Sequence, residues 1–370
     1  MKFIKSLKPA FIFSTFLAFT AAADAQTATP TPPPSDDGEV IKVESRLVVV
    51  PVSVTDASGN PVLGLTAKDF RITEENKPQV IDAVGNADVV PLEIALLIDV
   101  SGSVNPLFDF EKSAAAQFLQ SVMKPADRAT IFLIGDKPQI AQMRGDAAQA
   151  AQQVRTVTIS GKFTAFYDTV LQASDYLKKN APKTSRRVIL ALTDGEDNWS
   201  DMTRNAEMAT YRDVNVNNLT SDVRNQLAAK TDVAHRNAQA KVRRSLQDAD
   251  TVFYAVNPAG ASYKLNRISL RAQTGLQSFA DETGGAAFVP NFQPLDTKDT
   301  LQNSTNAKKN EATLTQIFKQ LENELRAQYL VQYYPDTEYP QDKFVRISLT
   351  LVNPEGRKLR ARQGYYVKQQ

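Results

Sequence analysis

Two stretches, RVILALTD at 187–194 and TVFYAV at 251–256, carry apolar residues at consecutive positions. Side chains along a strand alternate between its two faces, so a strand apolar throughout must be dry on both sides. A parallel sheet covered by helices on each face meets that demand; a one-sided antiparallel sheet does not. The surrounding chain fits. From 91 to 290, short apolar runs alternate with helical patterns at 92–98, 107–123, 129–134, 164–180, 187–193, 251–256, 270–283 and 286–289. In the first helix Leu107, Phe110, Ala114, Phe118 and Val122 recur at three- and four-residue spacing, as on an amphipathic face. This alternation predicts an α/β fold with a doubly wound, mostly parallel, Rossmann-like sheet. Gly284-Gly285 is placed to end a helix and start the next strand.

The flanks read differently. RLVVVPVSVTD, followed by the turn cluster DASGNP, and the runs around ENKP give residues 40–90 β character. After a helical LTQIFKQLENELRAQ at 314–328, YLVQYYP, FVRISLTLV and RKLRARQGYYV return to strands. Neither flank has enough strands to close a core alone. The expectation is one small β-sandwich-like module built from 40–90 and 329–370, beside an α/β domain at 91–328. Tyr329, Tyr333, Tyr334, Tyr365 and Tyr366 are read as its core and strand-pairing residues. Two stretches exceed a minimal α/β domain. Residues 199–248 read as a helical insertion, with Leu219, Val223, Leu227, Ala234, Ala238, Val242 and Leu246 on one face and basic residues between 230 and 244 on a solvated one. Residues 291–312 are polar and read as a surface loop.

The first 25 residues carry Lys2, Lys5 and Lys8, a short apolar run at 10–23 and the cleavage signature Ala23-Asp24-Ala25. This is the pattern of an export signal removed before Gln26. A spanning helix needs about 20 apolar residues, so the run does not read as a lasting membrane anchor. Residues 26–39 are rich in Pro and Thr and read as a disordered linker. The expected location is periplasmic or extracellular. A formal charge of +2 gives no reason to expect nucleic acid as partner. With no cysteine, disulfides and thiolate chemistry are excluded.

The chemistry concentrates where apolar strands end. ALLIDVSGSVNP, 95–106, closes a strand on Asp99 and follows it with Ser101 and Ser103 at alternate positions. In open α/β sheets ligands bind beyond the carboxyl ends of the strands. KFTAFYDTV places Thr164 just before a helix, and ILALTDGEDN places Asp194 at the end of another strand. These hydroxyls and carboxylates are hard oxygen donors, suited to Mg²⁺, Mn²⁺ or Ca²⁺. Asp and Ser also serve as turn and cap residues, but three such loops at one sheet edge point to a metal. Glu196, Asp197 and Asp168 read as loop and helix-start residues around them.

The ordered set D-x-S-x-S, T-A-x-Y-D and L-T-D-G resembles the von Willebrand factor type A domain with its metal-ion-dependent adhesion site. The likeness covers roughly 88–330. The ETGG stretch and the flanking β segments extend it to exported bacterial proteins related to that family. The resemblance implies that Ser101, Ser103 and Thr164 give hydroxyls to the ion, and that Asp99 and Asp194 bind it directly or through water. One coordination position would stay open for an Asp or Glu of a protein partner. Where the family has small residues before the threonine, this chain has Lys162-Phe163, a bulkier approach. The implied function is metal-dependent adhesion or recognition without catalysis. The alternative is a structural or assembly component of the cell envelope in which the metal only stabilises the fold. A hydrolase finds little support: His235, the one histidine, lies in the insertion and reads as solvated, and no nucleophile elbow is present. Phosphate-loop and zinc-helix motifs are also missing from the sequence.

Overall fold

The computed structural model describes residues 47–368, apart from 102–107, 162, 213, 215–219, 259, 261–265 and 296. The export signal, the linker, Ser103, Leu107 and Leu219 lie outside the described residues. The chain begins with strands β1 (Val48–Thr55), β2 (Phe70–Glu74), β3 (Lys77–Gln79) and β4 (Ile81–Asn86). An α/β succession follows: β5 (Leu92–Asp99), α1 (Phe108–Val122), β6 (Arg128–Ile134), β7 (Gln139–Gly145), α2 (Ala147–Thr156), α3 (Phe166–Asn180), β8 (Arg186–Leu192), α4 (Asp201–Tyr211), α5 (Ser221–Asp248), β9 (Thr251–Val256), α6 (Arg267–Thr283), β10 (Ala287–Phe288) and α7 (Thr300–Arg326). Four strands close the chain: β11 (Tyr329–Tyr333), β12 (Phe344–Leu351), β13 (Lys358–Ala361) and β14 (Gly364–Tyr366).

The central sheet has six strands in the order β10-β9-β8-β5-β6-β7, all parallel except the edge strand β7. From β5 the chain builds outward to β6 on one side, then returns to add β8 on the other. The crevice between β5 and β8 is therefore the topological switch point, where ligands bind in such sheets. Both faces are dry, as the sequence of β8 and β9 requires. Leu92, Ile94, Leu96 and Ile98 of β5 pack with α1, α2 and α7, while Ala95 and Leu97 face the layer of α3, α5 and α6. Each fully buried leucine contributes about 1.5–3 kcal/mol.

Two four-stranded antiparallel sheets, β13-β1-β11-β4 and β14-β12-β2-β3, draw strands from both ends of the chain. They share one core. Val48, Val50, Val52 and Val54 of β1 face Phe70, Ile72, Val345, Ile347 and Leu349 across it. Tyr329, Tyr333 and Tyr365 are buried there, and the hydroxyls of Tyr333 and Tyr365 donate to the buried Glu74 at 2.9 and 2.7 Å. Tyr334 is exposed and Tyr366 only half-buried, so those two are not core residues.

Three sequence expectations need correction. The 291–312 stretch is not a loop throughout, because α7 begins at Thr300. Asp299 caps it, accepting from the amides of Leu301 and Gln302 at 2.8 and 3.1 Å. Its first turns bury Asn306 and Asn310 in place of apolar residues. Asn310 exchanges two hydrogen bonds with the Gln293 backbone, at 2.8 and 2.9 Å, and Asn306 donates to the Pro294 carbonyl at 2.7 Å. A helix docked through amides leaves no hydrophobic period to read. Second, 199–248 is only partly an insertion. Parallel strands need a crossover helix, and the last turns of α5 supply it by packing Ala238, Val242 and Leu246 onto the sheet. Third, His235 is not solvated but 1% exposed. Its Nδ1 lies 3.4 Å from the Tyr167 hydroxyl of α3, where α5 crosses. Strand β7 and helix α2 were not anticipated. The α2 cap, Asp146 with Gln149 three residues on, is a visible signal.

Candidate metal site at the sheet switch point

The loop after β5 turns at Asp99, whose Oδ1 accepts from the Ser101 amide at 2.9 Å. The neighbouring 160–165 segment is pinned beside it. Ser160 and Gly161 amides both donate to the Val100 carbonyl at 3.1 Å, and Ser101 forms a parallel bridge with Gly161. Ala165 donates to the Gly135 carbonyl at the end of β6 at 2.7 Å. The loop after β8 closes the third side. Thr193 donates its hydroxyl to Asp99 Oδ2 at 2.8 Å and accepts from the Gly195 amide at 3.1 Å. Asp194 Oδ1 accepts from the Glu196 amide at 2.9 Å. Gly195 sits at φ +79°, and a Cβ there would lie 2.7 Å from Leu276 Cγ, so glycine is required on both counts. Thr164 is held by its backbone. Its amide donates to Asn198 Oδ1 at 2.8 Å, and its carbonyl accepts from the amides of Asn198 and Trp199 at 3.0 and 3.1 Å.

The carboxyls sense one another. Burial is the largest effect on Asp99 and pushes it up; the hydroxyl and amide of Ser101 and the Thr193 hydroxyl pull it back, while Glu196 adds repulsion. Asp194 is pushed up to about 6, first by burial and then by the charges of Asp99 and Glu196. Two carboxylates that oppose each other's ionisation in a place short of water fit a hard divalent cation, which relieves both. Among the described residues no group of three or more His, Cys, Asp or Glu side chains is placed to hold a metal. Ser101 and Thr164 lie in the segments that adjoin the two carboxylates.

Residues 94–196 match the family model of the von Willebrand factor type A domain. This segment is similar to that domain. It contains Asp99, Ser101, Thr164 and Asp194, and ends two residues after the last. A search of curated proteins finds no match. Solved structures similar in part include proximal thread matrix protein 1 from the mussel byssus, described with a zinc-occupied MIDAS motif. That one is 12% identical, covers 69% of this chain and 50% of that one, and has a TM-score of 0.40. This chain thus spans about half the length of the mussel protein. Another is a von Willebrand factor type A protein from Catenulispora acidiphila, 11% identical over 89% of this chain and 76% of that one, with a TM-score of 0.41. A third is an aerotolerance-related membrane protein from Bacteroides fragilis, 14% identical over 62% of this chain and 98% of that one, at 0.34.

Around the candidate site, the acids beyond Asp99 and Asp194 hold the scaffold. Asp197 accepts from the Tyr167 amide at 3.3 Å and from the hydroxyls of Ser200 and Thr203, tying the site loop to α3 and α4. Burial pushes it up to about 6. Asp168 accepts from the Asp201 amide at 2.8 Å. Glu196 accepts from the Ser269 hydroxyl at 2.8 Å, tying the same loop to the first turn of α6. Sequence reasoning passed over Thr193 and Asn198. Thr193 adjoins Asp194 in LTDG, but nothing in the sequence says that its hydroxyl reaches Asp99. A cavity of about 370 Å³ lies at the opposite end of the sheet, lined by Arg186, Arg187 and Arg362 among others, and contains none of the site residues.

Proposed function

We propose that this is an exported, non-enzymatic recognition protein that binds a protein partner through a divalent cation. Asp99, Ser101, Ser103, Thr164 and Asp194 hold the ion, Mg²⁺ in the first instance, with Mn²⁺ or Ca²⁺ as alternatives. The observation that carries this reading is the meeting of the loops after β5 and β8 across their crevice, where Thr193, next to Asp194, donates to the Asp99 carboxylate. A bound ion supplies a Lewis-acidic position for an incoming carboxylate oxygen. The chain's own residues do the rest. Thr193 fixes the Asp99 carboxylate, Asn198 fixes the Thr164 backbone, and Gly195 lets the Asp194 loop lie against α6. Export rests on the sequence of residues 1–25. No helix among the described residues is long and apolar enough to cross a membrane.

A peptide array with Asp, Glu, Asn or Gln at one varied position tests the reading. Binding should be confined to Asp and Glu, require Mg²⁺, and vanish in EDTA and in Asp99→Ala. Binding that survives both treatments contradicts it.

A further inference from the structure

We propose that Phe163 and Trp199 form an aromatic ledge beside the metal position, selecting peptides in which the captured Asp or Glu is flanked by an aromatic residue. This deepens the function proposed above and rests on it. Phe163 directly precedes Thr164, so its Cα lies about 3.8 Å from that of a proposed ligand. Its ring stacks on Trp199 with centroids 4.0 Å apart and planes inclined by 17°. The Arg204 guanidinium lies 5.2 Å from the Trp199 ring centroid and pairs with Asp201.

The stack is built rather than incidental. The Asn198 and Trp199 amides donate to the Thr164 carbonyl, and the Asn198 side chain accepts from the Thr164 amide. Metal position and ledge are thus fixed to one another through the same backbone. Phe163 nevertheless remains 41% exposed. A rigid aromatic surface offers contact area at little cost in conformational entropy. Neighbouring residues of an extended peptide are spaced like Phe163 and Thr164 themselves. A partner carboxylate at the ion therefore brings its neighbour within reach of the ledge, where aromatic rings pair favourably.

Trp199 is the chain's one tryptophan, so its fluorescence reports on this surface alone. Capped Gly-Asp-Phe-Gly, Gly-Asp-Ser-Gly and Gly-Asn-Phe-Gly are titrated in Mg²⁺ against wild type, Phe163→Ala, Phe163→Tyr and Asp99→Ala. The Asp-Phe peptide should bind about tenfold more tightly than Asp-Ser. That ratio should fall to about one in Phe163→Ala and persist in Phe163→Tyr, and Asn-Phe should not bind. Equal affinities for Asp-Phe and Asp-Ser, both lost in EDTA and in Asp99→Ala, would overturn the ledge and leave metal capture standing. A preference that persists in Phe163→Ala overturns the ledge as its source. Failure of every peptide, with or without Mg²⁺, overturns the capture reading and the ledge with it. An oligogalacturonate that perturbs Trp199 where Asp-Phe does not would assign the surface to acidic sugars instead.

Discussion

Among the described residues, the Thr193 hydroxyl is the side-chain group that joins the β8 loop directly to the Asp99 carboxylate, and replacing it by valine keeps its shape while removing its polarity. Thr193 is fully buried. It donates to a carboxylate and accepts from the Gly195 amide, both in good geometry. Losing a hydrogen bond to a charged group costs about 1.5–3 kcal/mol, and a buried amide left without an acceptor costs about 1–3 kcal/mol. Asp99 keeps its Ser101 bonds, and part of its residue surface meets solvent, which softens the first loss. Thr193→Val should therefore destabilise the fold by about 3 kcal/mol. Thr193→Ser, which keeps the hydroxyl, should cost clearly less. Urea unfolding measures both, and a double-mutant cycle with Asp99→Ala separates the two bonds. The coupling with Asp99 should be about 1.5 kcal/mol or more. A Thr193→Val protein within 0.5 kcal/mol of wild type, or one whose cost is the same in the Asp99→Ala background, would refute the reasoning.

Other outcomes follow from the same contacts. Burial and the nearby Arg271 push His235 down to about 4, against the favourable pull of Asp232, while Glu207 lies 3.6 Å from Nε2. The unfolded chain takes up this proton near pH 6.5, so the contribution of His235 to stability is lost as pH falls from 6.5 towards 4. The stability difference between wild type and His235→Gln should shrink by about 2 kcal/mol from pH 7 to pH 5; a difference independent of pH counts against it. Gly195→Ala forces a positive φ on alanine and drives its Cβ into Leu276, at a cost of about 3 kcal/mol in urea unfolding; stability equal to wild type would mean that the loop has another conformation. Asn310→Ala removes both bonds to the Gln293 backbone and should raise amide exchange in the first turns of α7 while leaving β5 and β8 protected; unchanged exchange would mean that those amides do not hold the helix.

What could be read from the sequence is set by which forces leave a periodic trace. The strands around Leu96, Leu190 and Tyr254 were legible because two-sided burial writes an unbroken apolar run. The loops that carry Asp99, Ser101, Thr164 and Asp194 were legible because they follow apolar strands or precede a helix. Polar forces leave no such trace. The start of α7 docks through Asn306 and Asn310, which read as loop residues until their partners at 293 and 294 are seen. His235 looked solvated because its burial is made by Tyr167, 68 positions away along the chain. Thr193 and Asn198 were invisible for the same reason: their roles are contacts across the crevice. The end of α5 reads as insertion in the sequence because its helical pattern runs on without a break from the extra segment into the crossover that β8 and β9 require.

The most direct test of the central claim is thermal unfolding of the protein in EDTA, Mg²⁺, Mn²⁺ and Ca²⁺, beside Asp99→Ala. An ion that binds only the folded state stabilises it by about 2.7 kcal/mol at a hundredfold excess over Kd. The account predicts a metal-dependent rise in Tm for the wild type and none for Asp99→Ala. A wild type whose Tm is the same in EDTA and in all three metals would contradict it.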